Sequence, residues 1–369
     1  MKKTFQYKIK SNLQTEQKAE KWLSLCQQLY NDSLNERIIA YKENKKSISQ
    51  YEQMKRLPQL KKVFPEFKSV NSQTLQDVIQ RLDKAYQGFF RRVKAKNGKA
   101  GFPRFKGQNR YDSFTLKQTG WKLNNNYLEI KNIGSFKLFL SRPIEGNIKT
   151  LTIRRTLTNK WLACFSCENV PQKLLPKTNK EIAIDVGCQS FLTDSKGNKI
   201  DNPRFFKNSQ DVLAARQQKL SQKVKGSYRK SKARLLVAKI HQKIFNQRKD
   251  FHFKTVNKLI KENDKIYIEK FNSFKSFKGL NKSMRDAAWF QFFNTLRFKA
   301  VEAGKEVIEV PAKNTSQICS KCGRIVEKDL SVRVHKCLCG SEIDRDWNAA
   351  LNILRLGQSL RVIPRISRL

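Results

Sequence analysis

Asp185 stands late in EIAIDVG, Glu269 late in KIYIEKF, and Asp346 directly precedes WNAALNILR. The first two runs are apolar and β-branched enough to be buried strands, and Ala349, Ala350, Ile353 and Leu354 mark one packed face of a helix. A carboxylate set in such an apolar strand is costly unless it is paired or metal-bound. Two strand-borne acids and a third at a helix start can converge on a pair of divalent ions ~3.5–4 Å apart, which activate water and stabilise the leaving oxygen in phosphodiester cleavage. An all-oxygen site of this kind suits two Mg²⁺ or Mn²⁺ ions. The acids run Asp, Glu, Asp, and the last opens a helix after a cysteine cluster; both features argue against a transposase whose acids run Asp, Asp, Glu. Asp344 is the nearest decoy to Asp346 and is placed to cap the helix. Asp194 and Glu262 fall outside the strand contexts.

A second constellation precedes Asp346. CSKCG at 319–323 and CLCG at 337–340 supply Cys319, Cys322, Cys337 and Cys339, with fourteen residues between Cys322 and Cys337. Four thiolates on two glycine-turned knuckles make a closed tetrahedral site for one structural Zn²⁺, which folds a loop too polar to fold alone. A single residue separates Cys337 from Cys339 where two are usual, so His335 stays open as a substitute for either. Cys164 and Cys167 repeat the CxxC spacing inside WLACFSCE, but residues three apart on a strand point to opposite faces, which makes them core thiols. Eight cysteines in a chain this size fit metal ligation and scattered core thiols better than a disulfide framework. Three histidines in all leave no cluster for an HNH nuclease or a His-dependent relaxase.

These residues sit in a strongly basic chain. In 369 residues, 76 Lys and Arg face 31 Asp and Glu, a net charge of +45. That is far beyond what solubility needs, and it calls for a polyanionic partner, a nucleic acid. Two stretches are candidate contacts. GKAGFPRFKGQNR combines Phe102 and Phe105 with Lys99, Arg104, Lys106 and Arg110, a mix that can stack bases and hold phosphates. Between Val212 and Lys249 twelve basic residues stand with no acidic one, Lys223, Lys225, Arg229, Lys230 and Arg234 among them. Broken helical periodicity around Gly226-Ser227 predicts two basic helices there, a one-sign phosphate track. No run of 18 apolar residues or secretory leader is apparent, so no membrane partner and an intracellular location are expected.

The elements that must position the acids follow from pattern. TFQYKIK alternates as a first strand, and two amphipathic helical stretches lie between it and residue 97, interrupted by Pro58 and Pro65. From Gly101 short alternating runs (SFTL, YLEI, FKLFL, IKTLTIRR, WLACFSCE) predict a small β barrel or sandwich. VPQKLLPKTNK reads as a linker to a new domain near Lys180, in which WFQFFNTLRFKAVEAG is a helix ending at Gly304 and VIEV a strand.

AIDVG, IYIEKFN, TSQICSKCG and DRDWNAALNI, in this order, resemble the TnpB family across 180–356; before residue 180 the likeness rests on FPRFK and the strand after it. The resemblance implies a multidomain α+β and α/β architecture. Residues 1–10 and 98–178 would form a wedge β-barrel of OB type, and 11–97 a helical recognition lobe. A RuvC-like (RNase H fold) domain would take 179–316 and 341–357, with a zinc ribbon inserted at 317–340 and a basic tail at 358–369. It implies an RNA-guided DNA endonuclease related to type V CRISPR effectors. Such a protein takes its guide RNA from the transposon end and cuts both strands of target DNA beside a short adjacent motif, as a cytoplasmic bacterial monomer with one RNA. Asp185, Glu269 and Asp346 fall on the family's catalytic acids, and Cys319, Cys322, Cys337 and Cys339 on its zinc ligands. Two other readings stay open: a guided DNA-binding repressor that does not cut, and a transposase acting without RNA.

Overall fold

A computed structural model describes residues 1–96, 98, 100–107, 110–270, 281–311, 314–329 and 331–362. The chain divides into two compact units, Met1–Pro171 and Gln172–Leu369.

In the first unit, β1 (Lys3–Lys10) alternates as its sequence requires and buries Phe5, Tyr7 and Ile9. Asn12 then starts α1 (Leu13–Asn44) by accepting the Thr15 amide at 2.9 Å. A Ser49/Glu52 capping box opens α2 (Gln50–Lys55), and Pro58 falls in the first turn of α3 (Leu57–Val63). Asn71 caps α4 (Ser72–Ala95). Six strands follow: β2 (Ser113–Leu116), β3 (Trp121–Asn124), β4 (Tyr127–Ile130), β5 (Gly134–Leu138), β6 (Asn147–Arg155) and β7 (Trp161–Glu168). They join β1 in a curled antiparallel half-barrel sheet of order β2-β6-β7-β1-β5-β4-β3. The helices expected as a separate lobe share one apolar core with this sheet. Trp22, Leu29 and Leu34 of α1 and Leu75, Ile79 and Leu82 of α4 lie in the same cluster as Phe114, Phe136, Leu151 and Phe165. On β7 the burial alternates, so Cys167 is buried while Cys164 faces the other way, and both thiols are free.

The second unit begins with residues that the sequence reads as linker but that are tied down. The amides of Thr178 and Asn179 donate to the Asp264 carboxylate at 2.7–3.0 Å. Next come β8 (Glu181–Asp185), β9 (Ser190–Asp194) and β10 (Lys199–Asp201), then the helical hairpin α5 (Phe205–Ser221) and α6 (Tyr228–Glu262). The two basic helices predicted around Gly226-Ser227 are present, with Ser227 as the N-cap of α6. β11 (Lys265–Glu269), α7 (Asn281–Ala287), α8 (Trp289–Ala303) and β12 (Glu306–Val310) follow, and Gly304 ends α8 in a left-handed cap as expected. A small hairpin of β13 (Val334–Lys336) and β14 (Glu342–Asp344) leads into α9 (Arg345–Val362).

The five main strands order as β10-β9-β8-β11-β12. β8, β11 and β12 run parallel, with Ile184 beside Ile268 and Ile268 beside Glu309, while β9 and β10 are antiparallel. Helices cover both faces, which is why the central strands are near-continuous apolar runs. Ile182, Ile184, Ile266 and Ile268 pack with Val256 of α6 and Phe292, Phe293 and Leu296 of α8, and Ala183, Tyr267 and Val310 pack with Ile353 of α9. Parallel strands bring their carboxyl ends to one edge, where acids at the last positions of β8 and β11 become neighbours.

Candidate nuclease centre and cysteine cluster

Asp185 and Glu269 are the last residues of adjacent parallel strands, one pair beyond the Ile184–Ile268 register. Asp346 arrives from the first turn of α9. Asp344 does what its position predicted: its carboxylate accepts the amides of Asp346 at 3.0 Å and Trp347 at 3.2 Å, and it pairs with Lys199 at 2.6 Å. Asp194 folds back on its own turn, accepting the amides of Lys196 and Asn198 at 2.9 Å. Gly187 lies beside Asp346: a Cβ there would sit 3.5 Å from Asp346 Oδ2, an ordinary contact, and 3.3 Å from Ser190 O.

The other two acids act on Asp185. Burial, then the Glu269 and Asp346 charges, hold the Asp185 carboxyl well above the usual carboxylate range. Burial also pushes Glu269 up, opposed by a hydrogen bond from Thr315, and pushes Asp346 up together with the adjoining Asp344. Arg333, Lys199 and Arg345 oppose that rise at Asp346. Three carboxyls raised by burial, with Asp185 raised further by the charges of the other two, fit a divalent cation, because its charge would offset both the burial and the repulsion.

The cysteine cluster is better closed. The Sγ atoms of Cys319, Cys322, Cys337 and Cys339 all lie within 4.8 Å of one another, the one such group among the described residues. Cys319–Cys339 is 3.7 Å and Cys322–Cys337 is 3.6 Å. A tetrahedron with Zn–S bonds of ~2.3 Å has edges of ~3.8 Å, so the thiols fit zinc. Gly323 and Gly340 take positive φ of 76° and 81° at the turns of the two knuckles. Burial works against the Cys319 thiolate, yet the amides of Cys322 and Lys321 and the side chains of His335 and Cys339 bring its pKa down to about 5. His335 is buried beside Lys328 and is not one of the four clustered ligands.

Two side chains of α9 hold the knuckle to the helix that carries Asp346. Asn348 accepts from the Ser320 amide at 2.9 Å and donates to Ile318 O at 2.8 Å. Asn352 donates to Thr315 O at 2.9 Å and Ile318 O at 2.6 Å. Thr315 in turn donates through Oγ1 to Glu269. The sequence reading missed the asparagines; their spacing of four on the helix was the available signal.

The basic candidates divide between the units. Lys99 lies outside the described residues, Arg104 and Arg110 are exposed, and Lys106 is half-buried with its ammonium 5.4 Å above the Tyr30 ring. In the second unit Lys223, Lys225, Arg229 and Arg234 are exposed around the α5–α6 turn, and Lys230 donates to Lys223 O at 2.7 Å. Also missed was a cleft of about 490 Å³ lined by Cys188, Arg204, Lys207, Lys282, Asp286 and Arg333. It opens three residues after Asp185, and Arg333 reaches both Cys188 and Asp346 electrostatically. No described helix is long and apolar enough to cross a membrane.

A mixed five-stranded sheet with acids at neighbouring strand ends, followed by a four-thiol knuckle and a packed helix, defines an RNase H-like unit with a cysteine ribbon. Family models match a "Probable transposase" over residues 164–277, a "Cas12f1-like, TNB domain" over 289–353 and a "Helix-turn-helix domain" over 1–46. That last range holds β1 and the single helix α1. A protein of Streptomyces pristinaespiralis named "Putative RNA-guided DNA endonuclease" is 30% identical over 97% of this chain and 90% of its own length. "Putative RNA-guided DNA endonuclease InsQ" of Escherichia coli (strain K12) is 28% identical over 78% of this chain and 75% of its own. The fold resembles that in "Cryo-EM structure of the Cas12f1-sgRNA-target DNA complex", with a TM-score of 0.57 at 16% identity, covering 91% of this chain and 81% of that one. The chain belongs to the TnpB family.

Proposed function

We propose that this protein is an RNA-guided DNA endonuclease of an insertion sequence, and that Asp185, Glu269 and Asp346 are its catalytic carboxylates. The observation that carries the reading is Asp185, buried at the end of β8 and held up by the charges of Glu269 at the end of β11 and Asp346 in the first turn of α9. Its relatives' names and the net charge of +45 support a nucleic-acid substrate. The three carboxylates would hold Mg²⁺ or Mn²⁺, which supplies an activated water and stabilises the leaving oxygen of a phosphodiester. The chain's part is to fix these ligands on a rigid sheet edge, to keep their surroundings half-buried, and to line the neighbouring cleft with Arg204, Lys207 and Arg333. The four cysteines would hold one structural Zn²⁺.

The finer assignments belong to the same proposal. The partners are a guide RNA from the transposon end and double-stranded DNA cut beside a short adjacent motif, and the protein works in the bacterial cytoplasm as a monomer with one RNA. The β-sheet of the first unit serves as the wedge domain, its helices as the recognition lobe, and Arg104, Lys106, Arg110 and the α5–α6 turn as phosphate contacts. The test is to purify the protein from cells carrying its element, sequence the RNA that accompanies it, and assay DNA carrying the matching target. Magnesium-dependent double-strand cleavage that disappears in Asp185→Ala is expected; binding with no cleavage in magnesium or manganese, or cleavage that persists after RNA removal, would overturn it.

A further inference from the structure

Glu269 ends β11 with one carboxylate oxygen already engaged by the Thr315 hydroxyl. Thr315 comes from a different segment, 46 residues further along the chain, and is 4% exposed. A buried hydroxyl aimed at a carboxylate fixes which way that carboxylate turns, because the hydroxyl hydrogen rotates to suit but the oxygen does not move. The oxygen is itself held in place. Asn352 of α9, 3% exposed, donates to Thr315 O at 2.9 Å and spans to Ile318 O at 2.6 Å. About one and two-thirds turns earlier, the first turn of the same helix carries Asp346. Two of the three acids are therefore registered to each other off the sheet, Asp346 through the helix backbone and Glu269 through Asn352 and Thr315. A hydroxyl serving only to satisfy a loop would not need a partner at the end of the strand that runs beside β8.

We infer that Thr315 is a positioning residue for Glu269, orienting its carboxylate toward the divalent cation while making no contact with the cation itself. The inference rests on the reading of the three acids as metal ligands. Partners of this kind, one shell beyond the ligands, change metal affinity or activity by about 10- to 100-fold when removed.

The experiment compares Thr315→Val and Thr315→Ser in the RNA-loaded protein, measuring DNA cleavage rate against Mn²⁺ concentration and guide-dependent DNA binding by gel shift. Thr315→Val is expected to raise the Mn²⁺ concentration for half-maximal cleavage by about 10- to 100-fold. The rate at saturating Mn²⁺ should fall less, DNA binding should stay unchanged, and Thr315→Ser should restore the wild-type metal dependence. An unchanged Mn²⁺ dependence in Thr315→Val, or a serine variant as impaired as the valine one, overturns the inference, the latter by assigning the effect to the methyl group. Should the valine variant not fold, Thr315→Ala against Thr315→Ser makes the same comparison. Asp185→Ala run alongside separates the two levels: cleavage that survives there overturns the reading of the acids, whereas an inactive Asp185→Ala beside a metal-insensitive Thr315→Val overturns the role of Thr315 alone.

Discussion

Removing a carboxylate and removing a thiol have different consequences here. Asp346→Asn keeps the helix cap, because Asp344 supplies it, but deletes an anion from the cluster. Its expected outcome is cleavage slower by at least about a thousandfold with RNA and DNA binding retained, read by single-turnover assays and gel shift. Cys322→Ser instead takes one corner from the four-thiol group. Elemental analysis should then find well under one zinc per chain, together with a lower Tm, and a full zinc complement would contradict the assignment. The places of the acids in the fold were legible because Asp185 and Glu269 stand in apolar runs that form strands and Asp346 precedes a helix with one packed face, while singling them out as a trio rested on their order, the cysteine knuckles and the charge. The cysteines were legible because their spacing is a chelate geometry. Thr315 was legible only as part of a motif, since its partner is decided by which strand lies beside β8, and the arginines of the cleft were hidden for the same reason.

Among the elements, α6 carries a pH sensitivity. His252 is 1% exposed, stacks on Phe191 with ring centroids 5.5 Å apart, and has Nε2 3.0 Å from Ala287 O. Burial lowers its pKa from 6.5 to about 4. The folded state therefore binds fewer protons than the unfolded one between these values, so this contribution is whole above pH 6.5 and is lost as pH falls toward 4. At full development it is on the order of 3 kcal/mol. Denaturant midpoints taken across that window should fall with pH, and less so in His252→Gln; parallel curves would contradict it. A second element-level prediction concerns α9, whose Gly357 packs directly on the Tyr267 ring with no space for a Cβ. Gly357→Ala should cost about 1–3 kcal/mol through overpacking and slow cleavage by moving Asp346, measured by Tm and by rate at saturating metal. The parallel strands could be read from their apolar runs, whereas β10 is three residues long and too short to show a period. The end of α6 was lost because the basic run stops at Lys249, while Val256, Leu259 and Ile260 continue the buried face.

At the scale of the whole molecule, charge and topology govern behaviour. With +45 net charge, binding to nucleic acid should weaken steeply with salt. Replacing Lys223, Lys225, Arg229 and Arg234 with Gln should reduce the slope of log K against log salt by roughly 3 to 4 for duplex DNA if each meets a phosphate; an unchanged slope would take the α5–α6 turn off the interface. Composition announced this partner class plainly. The unit boundaries were less legible, because α1 and α4 are amphipathic toward a sheet that follows them in the chain, and periodicity does not say what covers a helix. The sheet order also fixes a sequence in time. Domains generally form from the N-terminus during synthesis, and β8 with β11 can pair before α9 has been made. On the proposed function, a growing chain would hold its basic surfaces while the proposed cutting edge still lacks Asp346. On that reading RNA would hold the protein before it is able to damage DNA, and a chain halted short of α9 would be a binder without a cut.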